Sequence, residues 1–130
     1  MVDDSDINEY RTITGVEQEN LIVEGGQQLT LLGTAHGSVH VREGGRLYLG
    51  GVEAGALSVD LGGEAVIRGR LDGGIAHNDG DILVAEGAFI GDLVMGASGL
   101  EHPRSGTTYT VTDKTPVHRV AGVGRSITLA

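Results

Sequence analysis

The chain lacks cysteine and tryptophan, and in 130 residues it has only two prolines, three tyrosines and one phenylalanine. Without cysteine there can be no disulfide staple, thiolate metal site or cysteine nucleophile. So few aromatic rings exclude recognition by stacking on nucleobases. Cations are scarce as well. Nine Lys and Arg stand against 18 Asp and Glu, a net charge of −9, and sequence-independent nucleic-acid binding needs the opposite balance to neutralise phosphates. No apolar run approaches the roughly 18 residues that would cross a bilayer. The opening MVDDSDINEY is acidic where a secretory signal would be basic and then apolar. These absences predict a cytoplasmic protein without nucleic-acid or membrane partners, and the length suits a single domain.

Glycine is what the chain has in excess: 23 residues, too many for a helical bundle and without the every-third spacing of collagen. Its placement is periodic. Cutting every 18 residues from Gly15 gives GVEQENLIVEGGQQLTLL, GTAHGSVHVREGGRLYLG, GVEAGALSVDLGGEAVIR, GRLDGGIAHNDGDILVAE and GAFIGDLVMGASGLEHPR. Three columns of this register are glycine: Gly15, Gly33, Gly51, Gly69, Gly87; Gly37, Gly55, Gly73, Gly91; and Gly26, Gly44, Gly62, Gly80. Between them run aliphatic columns: Leu21, Val39, Leu57, Ile75, Leu93, and two places on Val23, Val41, Val59, His77, Met95. A second pair holds Leu29, Leu47, Ala65, Leu83 and Leu31, Leu49, Ile67, Ala85.

Apolar columns two residues apart mark strands with one buried face, and glycines between them suit corners with positive φ. Stacked at about 4.8 Å, residues 18 apart become neighbours and each column becomes a ladder. The fold expected is therefore all-β: a single-domain parallel β-helix, or β-solenoid, with 18-residue coils. Right-handed crossovers are the default for parallel strands. The outward columns support the same register, because Glu24, Arg42 and Asp60 alternate in sign, as do Arg46 with Glu64 and Arg68 with Glu86, and like charges directly opposite destabilise. The corner glycines Gly33, Gly37, Gly51, Gly55, Gly62, Gly69, Gly73, Gly80, Gly87 and Gly91 are the structural candidates.

The repeat divides the chain into an N-terminal capping segment (1–14), a solenoid of about five coils (15–95) and a strand-rich C-terminal segment (96–130). The last carries Arg104, Lys114, Arg119 and Arg125 against Asp113 after residue 101. Exposed strand edges at the ends of a solenoid are either capped or used for assembly; the tails are the expected caps, with the C-terminal one alternatively a binding element.

The strings GRLDGGI at 69–75 and ILVAEGAFIGDLV at 82–94, with the earlier GTAHGSV and GVEAGAL, resemble the repeats of bactofilins, bacterial polymer-forming cytoskeletal proteins. The resemblance spans residues 15–95 and implies a right-handed β-helix without enzymatic activity. The chain departs from the family in its strand-rich C-terminal segment, since bactofilins carry short disordered tails and join end to end.

Eighteen residues per coil also suits the left-handed hexapeptide helix of acyltransferases. That helix needs a third aliphatic column, and Glu17, Ala35, Glu53, Leu71, Phe89 begins with charged members. His36 and His40 fall on a corner and an outward column and read as solvated histidines rather than a metal pair. His77 falls in the inward column with Val41 and Val59, so either its ring is a satisfied core group or the HNDGD segment bulges and turns it outward. Residues 73–81 are similar to a calcium-binding nonapeptide, but Ala76 and Asn78 stand where the turn glycine and ligand belong. No catalytic set, cofactor site or metal site is expected.

One surface exceeds background: the outward column Thr30, Tyr48, Val66, Val84, whose Tyr48, Val66 and Val84 form an apolar stripe, either covered by the chain's own tail or open to a partner. Two functional classes fit. One is a bactofilin-like scaffold that self-assembles or binds protein. The other is an immunity-protein or antitoxin-type binder of a basic partner protein. The tails predict a monomer or small homo-oligomer.

Overall fold

A computed structural model describes residues 9–124 and 127–130, with only the backbone of Glu9. Residues 1–8 of the expected N-terminal cap, and Arg125 of the basic tail, lie outside the described residues. The first coil holds β1 (Glu9–Ile13), β2 (Val16–Glu17) and β3 (Leu21–Val23). The second holds β4 (Gln27–Leu31), β5 (Thr34–Ala35) and β6 (Val39–Val41), and the third β7 (Arg46–Leu49), β8 (Val52–Glu53) and β9 (Leu57–Val59). The fourth holds β10 (Glu64–Ile67), β11 (Arg70–Leu71) and β12 (Ile75–Asn78). Two further parallel strands follow, β13 (Asp81–Ala85) and β14 (Phe89–Ile90), and then β15 (Leu93–Gly96), β16 (Gly99–Glu101), β17 (Val117–Ala121) and β18 (Thr128–Leu129).

These strands form a parallel β-solenoid of about four turns. Each coil gives one strand to each of three sheets: β1-β4-β7-β10-β13-β17-β18, then β2-β5-β8-β11-β14-β15-β16 counted from the same end, and β3-β6-β9-β12. The cross-section therefore has three sides. Two-residue strands make the second side, too short for alternation to show in the sequence, and its inward column is Ala35, Glu53, Leu71 and Ile90, all buried. The 18-residue register starts before Gly15, since Glu9 pairs with Gln27 and Ile13 with Leu31.

Most corner glycines are required by close approach rather than by positive φ. A Cβ on Gly55 or Gly73 would come under 3.0 Å from backbone atoms of the preceding coil, and Gly33, Gly37, Gly51, Gly69 and Gly80 are crowded in the same way. Of the ten candidates only Gly62, Gly87 and Gly91 have positive φ (86°, 92° and 59°). Adjacent coils lie at strand spacing even at their corners, which leaves no room for a side chain pointing along the solenoid axis.

The register slips once, at HNDGD. Ile75 pairs with Leu57, but His77 pairs with Ser58 and Asn78 with Val59, so Ala76 is the extra residue of a bulge. His77 thereby turns outward, and Asn78 takes the inward place, its Nδ2 donating to Val120 O and Gly122 O at 3.3 Å each. The next corner is correspondingly short: Asp81 pairs with Glu64 and Val84 with Ile67, offsets of 17. Ile82 and Val84 point into the core and Leu83 points out, the reverse of the inward Leu83 column expected from strict periodicity. Two residues are regained before β14, where Phe89 pairs with Arg70 and Ile90 with Leu71. Phe89 consequently lies outside the core and Ile90 inside it.

The expected fifth coil is not a coil. Gly91 and Asp92 make a two-residue turn that sends β15 back antiparallel to β14, and β16 folds back again on β15. Leu93 and Met95, placed by periodicity on the third side, instead belong to this hairpin on the second.

Candidate functional site

The apolar stripe dissolves as an open surface. Val84 is an inward core residue, not a member of the outward column, which runs Thr12, Thr30, Tyr48, Val66, Leu83 and Arg119. Val66 is outward but only 6% exposed, and Tyr48 is half-buried. The C-terminal segment lies alongside: Arg68 Nη1 donates to Thr112 O at 2.9 Å, and Tyr109 meets Phe89 edge-on at a centroid distance of 5.6 Å.

The charged ladders hold where the register is strict. Arg42 meets Glu24 and Arg46 meets Glu64, each at 3.2 Å. Beyond the bulge they fail. Glu86 does not meet Arg68; its Oε2 lies 2.7 Å from His118 Nε2, and Arg119 pairs with Asp81. His40 Nε2 is 2.8 Å from Asp60 Oδ1, and His77 Nε2 is 2.7 Å from Asp79 Oδ2, while His36 is exposed on its corner. Among the described residues no group of three His, Asp or Glu is placed to hold a metal ion. There is also no helix among them, hence none long and apolar enough to cross a membrane.

Glu53 is the least conventional residue of the core. It is fully buried, and neither carboxyl oxygen has a hydrogen-bond partner. Burial pushes its carboxyl up to about 9, with only partial opposition from the neighbouring Val39 amide, whose N–H already donates to Ala56 O at 3.0 Å. At neutral pH Glu53 is therefore uncharged, which reconciles an acidic residue with an inward column.

Two different ends bound the solenoid. At the C-terminal end two of the three sheets continue into antiparallel strands, and the third, which ends at β12, is tied to the tail by hydrogen bonds. β13 is paired by β17, with Ile82 opposite Val120, and β14 by β15. Gly124 N–H donates to Ile75 O of β12 at 2.9 Å, and Asn78 holds two further carbonyls of the tail. Val94, Met95 and Val120 are buried there.

At the N-terminal end the edges of β1, β2 and β3 have no paired strand among the described residues. In a parallel ladder alternate residues face opposite neighbours. Ile13 O, Glu17 O and Leu21 N–H are bonded to the second coil, to Leu32, His36 and Ser38 respectively. The backbone groups of Tyr10, Thr12, Val16 and Ile22 therefore face the open side. Tyr10, Val16 and Ile22 are also exposed, at 72%, 62% and 54%. Across the top of the core, Arg11 Nη2 pairs with Glu17 Oε2 at 3.6 Å, both from inward columns. A cavity of about 450 Å³ opens between them and β3, lined by Glu19, Ile22, Leu21 and Leu29 among others.

The sequence led to a cap over 1–14 at this end; residues 9–13 instead pair in register as the first strand, with Arg11 and Glu17 standing in inward columns. A scan against protein-family models, a search of curated proteins and a search of solved structures each found no match.

Proposed function

We propose that the chain is a non-enzymatic, cytoplasmic protein-interaction module: a rigid solenoid that offers one open end to a protein partner and keeps the other shut. The observation that supports this reading is the difference between the ends among the described residues. Unpaired strand edges recruit strands, and covered ones do not. A solenoid with one covered end forms a capped complex or a small assembly instead of growing from both ends. The acidity of the chain favours a basic partner, as for an immunity protein or antitoxin, because complementary charge steers association.

A second reading, self-assembly as in bactofilins, is favoured by the repeat strings at 69–75 and 82–94. Sedimentation velocity of the intact chain at micromolar concentration separates the two. The interaction-module reading expects a monomer or small homo-oligomer, whereas filaments would replace it with the scaffold reading.

A further inference from the structure

The two covers at the C-terminal end are held unequally. Over the second side, the β15–β16 hairpin follows β14 directly and buries Val94 and Met95. Over the first side, β17 arrives after residues 102–116, which form no strand and are mostly exposed. Of the described residues in 102–130 only Val120 is buried, with Ile127 and Leu129 partly buried against the core.

β17 nevertheless matches its edge side chain by side chain. Asp81 N–H donates to Gly63 O in the preceding coil, so the backbone groups of Ile82 and Val84 face β17. Val120 lies opposite Ile82 and His118 opposite Val84, on the inward face. Arg119 lies between them on the outward face and pairs with outward Asp81. At the rim, Glu86 takes His118 by its side chain and Pro116 O by its N–H. The Arg119 and Asp81 side chains are 61% and 52% exposed, and ion pairs so exposed hold little.

We propose that β17–β18 is a displaceable strap, and that the edge of β13 exchanges it for an extended, basic segment of a partner protein. The strap displays the chemistry of that segment. An incoming strand bonds to the backbone of Ile82 and Val84, sets an apolar side chain on Ile82, and turns Arg or Lys outward to Asp81, as strand addition does elsewhere. Opening the strap uncovers one strand edge and one buried side chain, which is less than global unfolding exposes. Exchange for β17 of a second copy would only remake the same contacts and still lose the freedom of two separate molecules. The partner in this assignment rests on the interaction-module reading; the strap rests on the pairing of β13 with β17 alone.

The test uses the full chain and Arg119→Glu, which leaves the core untouched and sets an acid beside Asp81. In the intact chain the amides of Ile82 and Val84 should exchange about tenfold or more faster than that of Leu47 in β7, and in the variant faster still with Leu47 unchanged. The labelled, N-acetylated peptide Lys-Thr-Val-His-Arg-Val-Thr, followed by fluorescence anisotropy, should bind the variant about fivefold or more tightly than the intact chain. It should restore protection at Ile82 and Val84 and lose affinity as salt rises, whereas Lys-Thr-Val-His-Glu-Val-Thr should not bind. Exchange at Ile82 and Val84 no faster than at Leu47, no binding to the variant, equal binding of the acidic peptide, or binding that leaves both amides unprotected would overturn the proposal. So would dimers of Arg119→Glu without peptide, which would make a second copy the occupant. Filaments of the intact chain would retire the interaction-module reading and the partner with it, whereas slow exchange at Ile82 and Val84 would sink the strap alone.

Discussion

The two ends of this solenoid solve the same problem in opposite ways. Both terminate a stack of parallel strands, and each stack necessarily leaves a last row of N–H and C=O groups without a neighbour. At the C-terminal end the chain reverses direction, so antiparallel β15 and β17 take up those groups and bring Val94, Met95 and Val120 into the core. At the N-terminal end, among the described residues, an ion pair of Arg11 with Glu17 lies over the core and Tyr10, Val16 and Ile22 are exposed. A buried cap adds stability, whereas an unpaired edge leaves backbone groups to water or to a recruited strand. One chain has been arranged to have each once.

The largest expected effect comes from removing the cap. Deleting residues 104–130 uncovers β13, whose Ile82 and Val84 are wholly buried in the intact chain, and should produce aggregates or filaments in a sedimentation run in which the intact chain forms none. If the truncated chain stays monomeric, the two ends are not different in kind. Val120→Lys places a charge at a 2% exposed position of the same cap and should cost about 3–5 kcal/mol, as uncompensated buried charges do. Gly55→Val comes next, because it forces a side chain into the backbone of the preceding coil, with overpacking worth about 1–3 kcal/mol or more. Outward Ser58→Val in the same coil is the control, and equal melting temperatures for the two would contradict the close stacking of corners.

Glu53 sets a stability trend that neither end contributes. Its carboxyl holds a proton up to about 9 in the native chain but releases it near 4.5 once unfolded. The stability associated with that proton is therefore fully present below pH 4.5 and lost as pH rises to about 9. The slope is about 1.4 kcal/mol per pH unit. Denaturant unfolding of Glu53→Gln between pH 5 and 9 should lack this component, and Glu53→Leu should be more stable than the parent at pH 8. Parallel pH profiles for parent and Glu53→Gln would show that the buried carboxyl is not protonated. Smallest of all, Ile22→Lys at the open end should change stability by no more than about 0.5 kcal/mol, against the large loss for Val120→Lys at the closed one.

The solenoid and its 18-residue register were legible because columns of Leu, Val and Gly repeat without interruption from Gly15 to Ile75. Three things were hidden. The second side is made of two-residue strands, in which no alternation can be recognised, and Glu53 disguised its inward column because an acidic residue reads as charged until burial is known. The bulge at Ala76 was one of two outcomes that His77 allowed, and only pairing decides between them. Its consequence was larger than the bulge itself: a shift of one residue exchanges the two faces of a strand, so Val84 left the surface stripe, Leu83 joined it, and Glu86 exchanged Arg68 for His118. The cap was foreseen as strands, but its antiparallel docking depends on the turn at Gly91 and Asp92, where GAFIGDLV still looks like another repeat.

Residue-resolved amide hydrogen exchange of the intact chain tests the central claim most directly, because it reads both ends in one experiment. Ile82 and Val84 face β17 at the closed end, as Tyr10, Thr12, Val16 and Ile22 face outward at the open one. The account predicts exchange at the first pair only on opening of the cap, and exchange at the other four faster by orders of magnitude. Equal protection at the two ends would contradict it.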